Sequence, residues 1–402
     1  MRAPHGARSE PTETGHLAEA TPAGWGEGGG AVTPSRTLVQ SAIGGEYPVV
    51  VGPSALTQLP DLLRDRAPAH AYALVADDRV MELHGDTVAE AVGRLGRPVH
   101  RLSFPHGEEN KNRGEWIRLT DALLERGVGR DGCVVALGGG VTGDLAGFVA
   151  ASYMRGIPVV QLPTSIVAMV DSSVGGKTGV DVPLGKNLVG AFHPPRFVLA
   201  DTELAGTLPR AERSQGLAEA VKHGAIVDAP YLERIVAEAD ALLAGADPAT
   251  TRMVSRSVEI KADVVSRDET EGGLRQILNF GHTLGHALEA ASGYRLPHGS
   301  AVAVGMILEA RLGERLGVTE PGTAVRLQEA VAAVELPTEP PAGLSRARVM
   351  ELLARDKKAR AGSVRFVLLE RLGRVFSGKG DGPPTWSRSV PEDALVSVLD
   401  GV

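Results

Sequence analysis

What this sequence has little of narrows what it can be. It has a single cysteine, Cys133, among 402 residues. No disulfide framework can form within the chain, and the apolar run GCVVALGGG around Cys133 reads as a buried thiol in a reducing cytosol. A basic excess is missing too, since 42 Lys and Arg face 49 Asp and Glu, a formal net charge of −7. That balance argues against a nucleic-acid partner held by a general positive field. It leaves room for a local basic pocket around an anionic metabolite. There is no uninterrupted apolar run long enough to span a bilayer, and the first residues lack the apolar core of a secretory signal. The expectation is a cytoplasmic protein with no membrane or nucleic-acid partner.

What is present is ordinary globular material, 43% hydrophobic and 23% charged, with a high count of 50 glycines. The length exceeds one ordinary core and implies two domains. Residues 1–35 are rich in Gly, Pro, Ala, Thr and Glu, show no period, and read as a disordered extension. From residue 36 to about 208, apolar runs such as YPVVVG, AYALVADD, PVHRLSF, GCVVALGGG, PVVQLPTS and RFVLAD read as strands that alternate with helical stretches. This pattern predicts an α/β domain around a mostly parallel sheet covered on both faces. From 209 to 402 the period is helical, over 210–225, 229–245, 248–268, 274–291, 298–317, 322–335 and 346–355. A short β-like return follows at 364–376. The second half therefore reads as an all-α domain.

Several stretches offer chemistry. LGGGVTGDLAGFVA (137–150) follows a strand and opens a helix, where backbone N–H groups and the helix N-terminus suit a pyrophosphate. Its spacing is GGGxxGD, not the GxGxxG dinucleotide fingerprint, and glycines there also serve plain helix–sheet packing. Asp144 could reach a ribose or amide, or be an ordinary helix-start carboxylate. Glu108 and Lys111 in GEENK could bind sugar hydroxyls, or form a solvated loop. MVDSSVGGKTGVDVPLGKNLVGAF (169–192) combines Asp171, Lys177, Lys186 and Asn187 with many glycines, as a loop that wraps an anion would. Glu219 and Lys222 lie one helical turn apart, commonly a surface pair. Lys261 sits among apolar neighbours, where a lysine snorkels or enters a pocket. In RQILNFGHTLGH, Arg275, Asn279, His282 and His286 fall within about 60° on a helical wheel. His298 precedes Gly299 and a helix of small residues. A catalytic zinc takes three protein ligands of mixed His and carboxylate type, and Glu219, His282 and His298 are a candidate set. His286 is then a spare imidazole.

Taken together, GEENKN, LGGGVTGDLAGFVAASYMRG, QLPTS, VDSSVGGKTGVDVPLGKNLVGAF, TLPRAERSQGLAEAVKHG, LRQILNFGHTLGHALE, HGSAVAVGM and RDKKARAGSVRFVLL resemble the 3-dehydroquinate synthase family. These segments run in family order from about residue 40 to 376. The resemblance implies a Rossmann-like NAD-binding α/β domain and a helical metal-binding domain, with the active site in the cleft. It implies a cyclase acting on 3-deoxy-D-arabino-heptulosonate 7-phosphate by transient oxidation at C5, phosphate elimination, re-reduction and aldol closure. The metal, Zn2+ or Co2+, falls to Glu219, His282 and His298. Substrate contacts fall to Arg155, Asp171, Lys177, Lys186, Asn187, Lys222, Lys261, Arg275, Asn279, His286 and Lys357, the last interchangeable with Lys358. NAD falls to Asp77, Glu108, Lys111, Gly139, Gly140, Asp144, Thr164, Ser165 and Thr207. The family also implies a homodimer.

Two features depart from the family pattern. The usual HGEAV is HGSAV here, with Ser300, and the N-terminal extension lies outside the family core. Sister cyclases making aminodehydroquinate, 2-deoxy-scyllo-inosose or an epi-valiolone are a first alternative, and the Ser300 change keeps the aminodehydroquinate type in view. A metal-dependent polyol dehydrogenase is a further alternative, one that would not need the lysine-rich stretch.

Overall fold

The computed structural model describes residues 33–359, 364–378 and 384–400. Most of the expected 1–35 extension lies outside the described residues, although Ser35 already opens a strand. In chain order the first half gives β1 (Ser35–Val39), β2 (Tyr47–Gly52), α1 (Leu59–Arg66), β3 (Tyr72–Asp77), α2 (Asp78–Gly93), β4 (Val99–Phe104) and α3 (Arg113–Glu125). It continues with β5 (Cys133–Gly138), α4 (Gly140–Ser152), β6 (Val159–Pro163), β7 (Lys177–Val182), β8 (Gly185–Phe192) and β9 (Val198–Asp201). Seven strands form one sheet in the order β1-β2-β9-β6-β5-β3-β4, with β1 antiparallel and the rest parallel. β2, β5 and β6 are buried along their whole length. That is why they read as continuous apolar runs: both faces of a parallel sheet are covered. One face carries Leu119, Leu123, Leu145 and Val149, and the other Leu59, Leu63, Val88 and Val92.

From β3 the chain steps outward to β4, then returns to the other side of β3 for β5 and β6. The strand order thus reverses between β3 and β5. In open α/β sheets, ligands bind outside the carboxyl ends of the strands at such a reversal. Asp77 and the pair Gly139–Gly140 stand there.

The second half is helical: α5 (Arg210–Val227), α6 (Ala229–Ala237), α7 (Ala239–Ala244), α8 (Ala249–Arg267), α9 (His282–Ala291), α10 (His298–Arg315), α11 (Thr323–Ala333) and α12 (Arg346–Ala359). A small hairpin of β10 (Leu369–Arg371) and β11 (Arg374–Val375) and a last helix α13 (Glu392–Val398) complete it. No helix among the described residues is long and apolar enough to cross a membrane. The two halves share a core. Val49, Val51 and Val198 of the sheet pack with Leu217, Val221, Val258, Val265 and Ile307 of α5, α8 and α10.

Three local expectations change. The 169–192 stretch is not a loop: a five-residue π-helical turn (Ala168–Ser172) leads into the antiparallel hairpin β7–β8. The single helix expected over 229–245 divides at Glu238 into α6 and α7. The helix expected over 274–291 is broken. A 3-10 helix (Leu274–Asn279) ends at Phe280, Gly281 takes φ +78, and α9 starts at His282. Packing explains the break, because α9 and α10 touch backbone to backbone. A Cβ on Gly281 would lie 2.9 Å from Met306 N and from Val302 O. The freed N–H groups are taken up by Glu309 of α10, which accepts from Gly281 N at 2.7 Å and Leu284 N at 3.2 Å.

Glu309 is fully buried, and burial pushes its carboxyl up to about 8 against the pull of the N–H groups it accepts from. A group whose folded pKa is raised contributes stability below its unfolded pKa, and that contribution is lost as pH rises through the folded value. Relative to Glu309→Gln, the native chain should therefore lose stability between about pH 4.5 and 8. The expected loss is on the order of a few kcal/mol, read from urea unfolding of both proteins across that range.

Candidate active site

Helix α5 presents Glu219, Lys222 and His223, all buried, although a helix with this much charge reads as a surface element. They are held under the start of α9 and α10. Glu219 Oε1 lies 3.4 Å from His282 Nε2 and 3.6 Å from His298 Nε2. Its other oxygen meets the Lys222 ammonium. The outer nitrogens of the two imidazoles are also engaged. His282 Nδ1 lies 3.1 Å from Phe280 O, and His298 Nδ1 lies 3.6 Å from Glu289 Oε2. Both rings therefore turn Nε2 toward Glu219. His286 stands against them, its ring centroid 5.4 Å from His282 and 5.9 Å from His298.

The residues fit a divalent cation. The donor atoms of Glu219, His282 and His298 lie within 4.8 Å of one another. The 3.4 and 3.6 Å separations are long for hydrogen bonds. Two ligands about 2.1 Å from a tetrahedral cation sit roughly 3.4 Å apart, so these spacings suit donors around one ion. Glu289 supplies the outer carboxylate that a metal-bound imidazole ordinarily leans on. His286, Glu289 and His298 form an overlapping group of donors.

Next to this cluster lies a cationic one. Lys261 of α8 pairs with Asp171 Oδ1 at 2.8 Å and donates to Asp171 O at 2.5 Å, and Lys222 Nζ is 4.0 Å from Asp171 Oδ1. Burial would raise the Asp171 carboxyl, but Lys261 and Lys222 outweigh it and hold Asp171 well below the usual range. Burial pushes Lys261 down to about 8, opposed by Asp171 and helped by Arg275. Lys222 moves the other way: burial works against its charge, and Glu219 and Asp171 overcome it. Arg275 is buried, donating to Glu269 O at 2.5 Å and Gly175 O at 3.4 Å. Near it Glu271, at φ +63, accepts from Asn279 Nδ2 at 2.5 Å and pairs with Lys177 of β7. His286 is exposed, and the crowding of its ring and the neighbouring imidazoles of His282 and His298 push it down.

The second group sits at the sheet end. Lys111 is 4% exposed and binds Glu108 at 2.8 Å, Asp144 at 3.3 Å and Asp181 at 3.6 Å. Burial raises Asp144 to about 6, against the pull of Lys111. Gly139 and Gly140 open α4, with Ser165 and Ser172 hydroxyls facing them across a narrow gap. Thr164 N donates to Gly138 O at 3.0 Å, tying the ends of β5 and β6 together. Lys186 of β8 joins the two groups, bonding Glu289 Oε1 at 2.6 Å and standing 3.7 Å from Glu108.

Other expected residues stay outside these contacts. Asp77 caps α2 by accepting from Val80 N at 2.9 Å, and Thr207 Oγ1 lies 3.3 Å from His84 Nε2 of that helix. Asn187 is exposed at φ 55, its N–H donating to Asp181 Oδ1 at 2.9 Å. Arg155 is exposed, at φ 68 after α4. Lys357 lies in α12, but its side chain is outside the described residues. The sequence reading missed Glu271, Glu289, Asp181 and His223. Glu289 carried a signal, one turn beyond His286 on the same helix. His223 is fully buried with neither ring nitrogen hydrogen-bonded, its Nε2 3.7 Å from Asp171 Oδ1.

The chain is similar to known proteins over most of its length. The family models described as 3-dehydroquinate synthase N-terminal and 3-dehydroquinate synthase C-terminal match residues 101–215 and 216–359. The chain is 46% identical over 331 residues to the 3-dehydroquinate synthase of Symbiobacterium thermophilum, covering 82% of this chain and 92% of that one. The chain belongs to the 3-dehydroquinate synthase family. Among solved structures it is similar to 2-deoxy-scyllo-inosose synthase complexed with carbaglucose-6-phosphate, NAD+ and Co2+, with TM-score 0.83, 27% identity, and 92% and 100% of the two chains covered. It is also similar to the 2-epi-5-epi-valiolone synthase of Streptomyces hygroscopicus subsp. jinggangensis 5008 with NAD+ and Zn2+ bound, with TM-score 0.78, 27% identity, and 88% and 95% covered. These likenesses give the fold expected for the family, a Rossmann-like sheet unit beside a helical unit.

Replacing His282 with Ala removes one of three donors. Affinity for Zn2+ or Co2+, measured by chelator competition, should fall by more than the about 10–100-fold that outer-shell changes cause, with the far-UV circular dichroism spectrum unchanged.

Proposed function

We propose that this chain converts 3-deoxy-D-arabino-heptulosonate 7-phosphate into 3-dehydroquinate and inorganic phosphate. The observation that carries the reading is the junction of two clusters. Four cations, Lys177, Lys222, Lys261 and Arg275, gather around Asp171 and Glu271, and Lys222 also meets Glu219, the carboxylate on which His282 and His298 converge. A substrate bearing both a phosphate and a carboxylate suits that charge. The identity to a 3-dehydroquinate synthase over most of both chains supports the same choice.

Held at the Gly139–Gly140 turn, NAD would supply reversible hydride acceptance at C5, and a divalent cation held by Glu219, His282 and His298 would supply polarisation of the C5 oxygen. The chain's own groups do the rest. The turn at Gly139–Gly140, with Asp144, Lys111 and Glu108, receives the nucleotide, and Asp77, Thr164, Ser165 and Thr207 flank it. Glu219, His282 and His298 are the metal donors. Lys177 and Lys186 meet the phosphate, the family resemblance adds Arg155 and Asn187 on that side, and Arg275 and Asn279 hold the acid end. Lys222, Lys261 and Asp171 orient the ring hydroxyls. His286, exposed beside the metal donors, accepts at a ring nitrogen the proton lost from the carbon next to the oxidised centre. Glu271 holds Lys177 and Asn279 in register. We assign residues 36–208 to the nucleotide-binding unit and 209–402 to the metal- and substrate-binding unit, in a cytoplasmic homodimer. A solution mass of twice 41.9 kDa by light scattering checks the dimer.

The direct test incubates purified protein with the heptulosonate phosphate, catalytic NAD+ and Zn2+, following phosphate, NADH absorbance and product mass together. Phosphate release that matches dehydroquinate formation without NADH build-up is the expected result. Release only from glucose 6-phosphate, sedoheptulose 7-phosphate or the amino analogue would assign a sister cyclase, and steady NADH build-up on a polyol a dehydrogenase. In the same assay Lys177→Ala should lower phosphate release roughly 100-fold or more, as removal of one charge-stabilising donor does. NAD+ affinity should be little changed.

A further inference from the structure

His298 is the first residue of α10, and the start of that helix has an unusual cap. Pro297 occupies the N-cap position and makes no side-chain bond to the first turn. The first N–H groups of a helix need acceptors when they are buried. Here the acceptor comes from another helix: Ser300 N donates to Gln215 Oε1 of α5 at 2.8 Å. The same amide donates back, from Gln215 Nε2 to Ser300 Oγ at 2.8 Å. Between them Gly299 lets the backbones close, since a Cβ there would lie 2.9 Å from Gln215 Cα. Ser300 is 5% exposed.

Gln215 is one turn before Glu219 on α5, and Ser300 is two residues after His298 on α10. The reciprocal bond pair therefore joins the two helices beside a donor on each. We infer that Gln215 is a positioning residue that caps α10 from α5 and so fixes His298 against Glu219. Ser300, the departure from HGEAV, is the other half of this fastening. It is short enough to leave the space that the Gln215 amide fills, and it lies in the α5–α10 contact. The departure thus bears on how the two helices dock.

This inference rests on the metal reading of Glu219, His282 and His298. The experiment measures Zn2+ affinity by chelator competition and the visible absorption of the Co2+-loaded protein, for the native chain, His282→Ala, Gln215→Ala, Gln215→Glu and Ser300→Ala. NAD+ affinity and thermal midpoint are read alongside. Gln215→Ala should weaken Zn2+ binding by about 10–100-fold and alter the Co2+ spectrum, with NAD+ affinity held within a few-fold. Gln215→Glu keeps an acceptor for both Ser300 N and the Ser300 hydroxyl, and should restore most of the loss. Ser300→Ala removes one bond of the two and should fall between. Native Zn2+ affinity and Co2+ spectrum in Gln215→Ala would overturn the inference alone. A loss of NAD+ affinity and thermal midpoint in step with Zn2+ affinity would also overturn it, as general damage. Equal Zn2+ binding by the native chain and His282→Ala would overturn the metal reading and the inference with it.

Discussion

The Glu219 carboxylate is the constraint around which the helical half is arranged. It is 2% exposed, on a helix whose neighbours are alanine, leucine and valine. Removing an isolated carboxylate from water costs several kcal/mol, so a charge placed there needs compensation from every side. Lys222 supplies it from one turn along the same helix, and the imidazoles of His282 and His298 supply it from the two helices above. Each compensating group needs its own support. Lys222 and Lys261 share Asp171, and His298 leans on Glu289. The glycine break that starts α9 at His282 places that ring over Glu219. An uninterrupted helix from 274 would have carried His282 elsewhere.

The same logic of shared charge links the helices to the sheet. Lys186 touches Glu289 on one side and approaches Glu108 on the other, and Glu108 belongs to the group around Lys111 and Asp144. An unbroken series of ion pairs thus runs from the Gly139–Gly140 turn to the donors around Glu219. Side chains at the sheet end are thus linked, pair by pair, to the Glu289 carboxylate beside His298.

Much of this was legible in the sequence because its signals are local. Apolar runs marked six of the sheet strands, and helical periods marked the second half nearly element by element. The polar face expected of Arg275, Asn279, His282 and His286 does not form on one helix. These residues come from a 3-10 helix and a separate α-helix joined through Gly281. The hairpin β7–β8 was illegible because its glycines and lysines carry no strand period. Glu271 and Gln215 were invisible because nothing local marks them. Each matters through a contact with a residue far away in the chain or on another element, and only the fold sets that distance. Thr207 and Arg155 show the converse, since positions taken from the family pattern stand apart from the central contacts in a single copy of the chain.

The two margins of the cleft are joined by different forces. On one margin the valines of β2 and β9 are packed into α5, α8 and α10, a contact indifferent to salt. On the other, the hairpin β7–β8 reaches across through Lys177 to Glu271 and Lys186 to Glu289, ion pairs whose lysines are half to one-third exposed. Dissolved ions weaken the second kind of contact and leave the first alone. The molecule is in effect a book with an oily spine and a charged clasp. Rising salt should therefore loosen the clasp well before it disturbs the spine.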